Sequence, residues 1–346
     1  MLRRKRKRRK KQSSGAAGVL LGILVLGLVA AGGAGWLLLT LYGPETETFV
    51  ELAPGSSTMA IGRQLETAGV VQSQFAFDLL RFLKRGKLKA GEYRFDHKAP
   101  VTEVYARIAR GDVFTRTLTV PEGANIFDIA ARVEQDGFGT RKEFLNAAVD
   151  EVGLVRDLDP GAKSLEGYLF PDTYRFARKT RPAEIAAAMV RRFRAVAGQL
   201  GLKENAHRVV TMASLVERET AVDRERPLVA SVFENRLRKN MALMTDPAVI
   251  YGLELEGQWR GALGKSELAH ETAYNTYVHT GLPPGPIANP GVRSLRAAME
   301  PAQTDYFYFV AAGTDAQGQS LFSNTLEEHN RQVGEYRRAL NKAGER

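Results

Sequence analysis

Between Ser13 and Pro44 no side chain carries a charge, and the stretch from Ala16 to Tyr42 is built almost wholly of Leu, Val, Ala and Gly. A hydrocarbon layer of about 30 Å is crossed by roughly 20 apolar residues in a helix. A helix of that length satisfies its own backbone hydrogen bonds, so lipid can surround it. Residues 3–11 ahead of it are nine consecutive Lys and Arg. Positive charge resists translocation, so the arm (1–15) is expected to stay cytoplasmic, with residues 16–42 as a single-pass helix. Everything after Tyr42 is then expected outside the plasma (inner) membrane. A signal peptide is the competing reading. Against it, the apolar run is long, and no clear Ala-x-Ala site precedes Glu45.

The formal net charge of +10 suggests nucleic acid, but its distribution removes that idea. Nine of the 49 Lys and Arg lie in the arm and none of the 39 Asp and Glu do, which leaves 40 against 39. A nearly neutral body lacks the basic face that phosphate contacts need. There is no cysteine, which excludes disulfides, thiolate catalysis and Cys-ligated zinc. The histidines (His97, His207, His270, His279, His329) form no His-x-x-x-His pair, and neither a phosphate loop nor a Gly-x-Ser-x-Gly elbow occurs. No metal or cofactor is expected.

One unit occurs twice. PGSSTMAIGRQLETAGVV begins at Pro54 and PEGANIFDIAARVEQDGFG at Pro121. With one residue inserted after the second proline, Gly55 aligns with Gly123, Ile61 with Ile129, Glu66 with Glu134 and Gly69 with Gly137. A strand-like alternation precedes each copy, at 48–52 and 115–120. Each copy then shows apolar spacing of three and four, and closes on glycine. The pattern predicts strand, turn, helix, stop. Such units resemble LysM-like modules, which bind N-acetylglucosamine-containing glycans; a plain spacer fits equally. Residues 43–157 are expected to form this region, and 158–346 a second domain. In the second domain helices are expected over 182–200, 205–221, 226–239 and 326–342, with a hairpin near 304–323. Few, local strands among many helices predict an α+β class.

The helix VVTMASLVERETAV (209–222) carries two acids on opposite rims of one apolar arc. Glu217 stacks over Val210 and Ala213, and Glu219 over Met212 and Leu215. Desolvation on such a rim disfavours the charged form, as a general acid requires. Two carboxylates paired with Arg218, Arg224 or Arg226 are the plainer reading, and the helical wheel does not rank the two acids. Nearby segments supply hydroxyls, amides and rings that suit a sugar polymer: Thr245-Asp246, Tyr274-Asn275-Thr276-Tyr277, and the rigid GLPPGPI loop at 281–287.

Taken in order, ASLVERETAV (213–222), SVFENRL (231–237), TDPAVIYG (245–252), TAYNTY (272–277), GLPPGPIANPG (281–291) and YFYFVA (306–311) resemble the YceG-like (MltG) endolytic murein transglycosylases over about 160–340. The aromatic segment from Gly167 to Thr173 matches as well. The resemblance implies non-hydrolytic cleavage of the MurNAc–GlcNAc β-1,4 bond in peptidoglycan, leaving 1,6-anhydroMurNAc ends. It makes Glu217 the catalytic acid and base. It implies nearby wall synthases (penicillin-binding proteins) as partners, while the polar clustering by itself suggests Thr245, Asp246, Tyr274, Asn275 and Tyr277 as substrate contacts. The alternatives are a muramidase using water and a second carboxylate, Glu219 or Asp246, and a non-catalytic wall-binding scaffold.

Overall fold

The computed structural model describes residues 13–203, 205–313 and 318–344. The basic arm at 3–11 lies outside them. The chain divides into two compact units, 1–115 and 116–346.

In the first unit, α1 (Ser13–Leu39) is the charge-free helix, and its part from Gly18 to Leu39 is long and apolar enough to cross a membrane. There follow β1 (Thr48–Leu52), α2 (Thr58–Thr67), α3 (Gln74–Lys84), β2 (Gly91–Phe95) and α4 (Val101–Arg110). β1 and β2 pair antiparallel, Thr48 opposite Phe95 and Leu52 opposite Gly91. The core is Leu52, Leu65, Phe77, Tyr93, Val104 and Ile108 with their neighbours. Ser57 and Ser73 cap the N-termini of α2 and α3 by accepting backbone N–H bonds, which local sequence dictates.

The second unit repeats that order. β3 (Arg116–Thr119), α5 (Ile126–Gln135), α6 (Arg141–Asp150) and β4 (Thr173–Phe176) follow in sequence, and β3 pairs antiparallel with β4. Each copy is thus strand, helix, helix, strand, with a second helix and a return strand beyond the predicted unit. The aligned glycines share one conformation: Gly55 and Gly123 have φ +81° and +77°, Gly69 and Gly137 +68° and +72°. Only glycine adopts that region at no steric cost. Ile61 and Ile129 are both buried.

The second copy lies within the unit 116–346. Ile129 and Val133 of α5 share one core with residues of α7 (Pro182–Leu200) and α8 (Ala206–Glu219).

α9 (Arg226–Arg238), α10 (Asp246–Leu255), α11 (Lys265–Leu268), α12 (Val292–Met299), the hairpin β5 (Tyr308–Ala311) and β6 (Ser320–Ser323), and α13 (Leu326–Gly344) complete the unit. The mixed helix and strand content agrees with the α+β expectation. α8 separates two cores. Val210 and Ala213 enter the core shared with α5 and α7. Met212, Leu215 and Val216 enter the other, with Phe233 of α9 and Tyr251 of α10.

Candidate active site

Both rims of α8 sit where the wheel puts them, and each borders a different core. Arg218, between Glu217 and Glu219, is exposed. The two acids have different surroundings.

The Glu217 side chain is 5% exposed. Its Oε1 accepts from Arg226 Nη1 at 2.8 Å, and its Oε2 from the backbone N–H of Gly291 at 2.9 Å. Gly291 is the N-cap of α12, so the partial positive end of that helix adds to the Arg226 charge. Among the three arginines considered from sequence, Arg226 is the partner. This corrects the picture of a bare carboxyl on an apolar rim, because α9 begins with a cation that reaches back to α8. Arg226 is itself 6% exposed and divided among acceptors: Nη1 also donates to Ser294 Oγ at 2.5 Å and Nε to Asp223 at 3.3 Å. Asp223 pairs with Arg293 in turn, and that hydrogen bond lowers the Asp223 carboxyl.

Across from Glu217 lies the turn of the second copy. A Cβ on Gly123 would stand 3.5 Å from Glu217 Cγ. Arg218 Nη1 donates to the Gly123 carbonyl at 3.1 Å. Glu122 packs its carboxyl onto Gly291, and burial followed by the Glu217 charge raises its pKa. Glu122 was missed in the sequence, though a signal existed: it is the inserted residue that distinguishes the second copy from the first.

The loop bearing Gly291 is stitched from several sides. Asn289 is fully buried. Its amide donates to Ala124 O at 2.9 Å and Glu166 Oε1 at 2.8 Å, and its Oδ1 accepts from Leu169 N–H at 2.8 Å. Glu166 Oε2 also accepts from Ile126 N–H at 2.9 Å. Burial drives the Glu166 carboxyl up to about 8. Gly167, at φ +85°, has no room for a side chain: a Cβ would meet Pro286 at 2.5 Å and Val210 at 2.7 Å. The aromatic segment, the proline loop and α8 meet there.

Glu219 faces a second polar group. Burial, then the Asp246 charge, raises its carboxyl to about 7. Asp246 is exposed, at the start of α10, and accepts from Tyr277 Oη at 2.6 Å. Of the expected substrate contacts, then, Asp246 and Tyr277 gather with Glu219. Tyr274 is partly exposed and packs edge-on to Tyr251, 5.1 Å between ring centroids. Thr245 and Asn275 are buried. Thr245 N–H donates to Thr276 Oγ1 at 2.9 Å. Asn275 Nδ2 donates to Leu268 O at 3.0 Å and His270 O at 2.7 Å, and its Oδ1 accepts from Tyr277 N–H at 2.9 Å. These bonds tie the Asn275 amide to its own loop.

The family model described as YceG-like matches residues 50–335. The chain belongs to the YceG-like family. A Bacillus subtilis protein named endolytic murein transglycosylase is 33% identical over 314 residues, covering 84% of this chain and 85% of the relative. A Streptococcus pneumoniae protein of the same name is 30% identical over 327 residues, covering 83% of this chain and 58% of the longer relative. A crystal structure of a yceG-like protein from Listeria monocytogenes is 31% identical, with TM-score 0.53, over 83% of this chain and 99% of that one. The matched span takes in both copies of the repeat as well as α8.

Proposed function

We propose that this YceG-like chain is a membrane-anchored endolytic murein transglycosylase, with Glu217 as its acid and base. Its relatives carry that activity in their names. The observation that carries the residue assignment is the clamp on Glu217: two protein donors orient its two oxygens beside the turn at Glu122–Gly123.

Protonated Glu217 donates to the glycosidic oxygen between MurNAc and GlcNAc, and the C1–O bond breaks. The muramic C6 hydroxyl attacks C1 of its own ring and returns its proton to the Glu217 carboxylate. The nucleophile is tethered, so a high effective molarity replaces a positioned water. One carboxyl group then serves where a hydrolase needs two. For the sugar to reach Glu217, one of the two protein contacts has to yield. Arg226 is suited to this, because Ser294 and Asp223 still hold it when Glu217 leaves. Glu122 stands beside Glu217 as a second acid, its own carboxyl raised by burial and then by the Glu217 charge.

A muramidase is the second reading, favoured by the presence of Glu122 as another carboxyl at the same turn. Mass spectrometry of digested glycan decides between them. Anhydro ends support transglycosylation; reducing ends support hydrolysis. Loss of cleavage in Glu217→Gln, with the fold retained, supports the residue assignment and excludes a scaffold without activity.

In this reading α1 is the anchor, the N-terminus is cytoplasmic and the body lies outside, where nascent glycan and wall synthases are. The first repeat copy, a strand–helix–helix–strand unit, acts as a LysM-like glycan-binding module or as a spacer next to the membrane. Glycan pull-down by the full chain with changes on the first copy alone separates those two.

A further inference from the structure

The first unit has an apolar face that its own core leaves unused. α3 buries Ala76, Phe77 and Leu80. Phe75, Leu79, Phe82 and Leu83 are 74%, 38%, 70% and 61% exposed. Their spacing of four, three and one places all four on a single arc of the helix. Isolated exposed apolar residues are ordinary, but two phenylalanines and two leucines side by side mark an interaction surface.

The place of this face identifies its occupant. The last turn of α1 lies against the start of α3: Leu37, Thr40 and Tyr42 line one small cavity with Ser73 and Ala76. Leu38 packs on the core of the unit. Tyr42 and Ala99 exchange two backbone hydrogen bonds, at 3.2 and 3.0 Å. The end of α1 is therefore fastened to the unit without a loose linker. Phe75, the first residue of the exposed arc, stands in the sequence between Ser73 and Ala76, which line that cavity. Lys84, Arg85 and Lys87 follow Leu83 directly, a pattern that complements anionic phosphate headgroups.

We propose that the outer face of α3 docks into the near leaflet of the bilayer that α1 crosses, with Phe75, Leu79, Phe82 and Leu83 at the headgroup–acyl boundary. This rests on the reading of α1 as an anchor. The occupant is lipid rather than a second copy, because the face is continuous with the membrane end of α1 and is followed by cations.

The chain has no cysteine, so single cysteines introduced into the full-length protein can be spin-labelled without background. Leu79→Cys and Phe82→Cys are compared in phosphatidylcholine–phosphatidylglycerol nanodiscs with Leu28→Cys in α1 and Glu66→Cys on the exposed side of α2. Collisions with oxygen, which concentrates in lipid, and with a water-soluble nickel chelate are measured. The expected result is an oxygen-to-nickel ratio at 79 and 82 several-fold above that at 66 and approaching that at 28. A ratio at 79 and 82 equal to that at 66 overturns the proposal and places the face in water. Low collision with both reagents overturns it in favour of a protein partner. If 28 itself reports water, the anchor reading fails too; lipid at 28 with water at 79 and 82 removes only the docking face.

Discussion

Glu122 rests its carboxyl against Gly291 so closely that a Cβ on Gly291 would lie 1.8 Å from Glu122 Oε1. The same glycine gives its N–H to Glu217. Two acids from distant parts of the chain thus share one small residue. Its φ of −78° is open to any side chain, so the demand for glycine here is purely spatial.

Gly291→Ala is expected to push Glu122 aside and shift the N–H that orients Glu217. A displacement of about 1 Å at a catalytic group costs up to about 10²-fold in rate. Combining it with Glu122→Ala makes room for the added methyl and is expected to recover part of that loss beyond the sum of the single changes. Strict additivity in glycan-cleavage rate would refute the steric link.

Glu217→Gln and Glu219→Gln divide the two rims of α8. The first is expected to lower cleavage at least about 10²-fold, as loss of a general acid does. The second is expected to leave most activity, despite a carboxyl raised to about 7. The reverse order in an anhydro-end assay would move the chemistry to the Glu219 side, where Asp246 and Tyr277 stand.

Glu122→Gln keeps the shape and removes the charge. A negative neighbour helps an acid keep its proton. Without it, the rate of anhydro-end formation is expected to fall. An unchanged rate for the variant would eliminate Glu122 from the acid–base chemistry.

Glu166 makes stability depend on pH. Its folded pKa is about 8 against an ordinary 4.5. Below 4.5 both folded and unfolded forms hold the proton, so the site has no net effect. Between 4.5 and about 8 the unfolded chain releases it while the folded chain keeps it, so stability falls as pH rises, by at most about 1.4 kcal/mol per pH unit. Glu166→Gln cannot ionise and is expected to flatten that slope in urea midpoints measured across the window. An unchanged slope counts against this assignment.

Asn275→Ala tests staple against substrate contact. Two carbonyls and one N–H lose their partners in a buried place. A loss of about 2–4 kcal/mol in stability is expected, with little change in KM of the folded fraction. A raised KM at unaltered Tm would restore Asn275 as a sugar ligand.

Where the chain is periodic, the sequence was enough. α7 spans 182–200 as its apolar spacing predicts, and the two rims of α8 emerge from counting 100° per residue. The duplication is legible because glycines in a left-handed conformation and a buried isoleucine recur at one offset. α3, α6, α10 and α12 were not recognised. α6 and α10 show little segregation of apolar residues, and tertiary packing holds them. The polar clustering that suggests Thr245 and Asn275 as substrate contacts does not reveal that both are buried, with the Asn275 amide bonded inside its own loop.

The amino-acid order alone determined the charge-free helix, the repeated unit, the class of fold and the pair of acids on α8, since each depends on neighbours within a few residues. Only the tertiary structure decided that the second repeat copy joins α7 and α8, that Arg226 and Gly291 hold Glu217, and that Glu122 stands at the same point. Glu122 and Gly291 are far apart along the chain, and contacts at that separation leave no local pattern: they exist only once burial of the shared core brings the segments together.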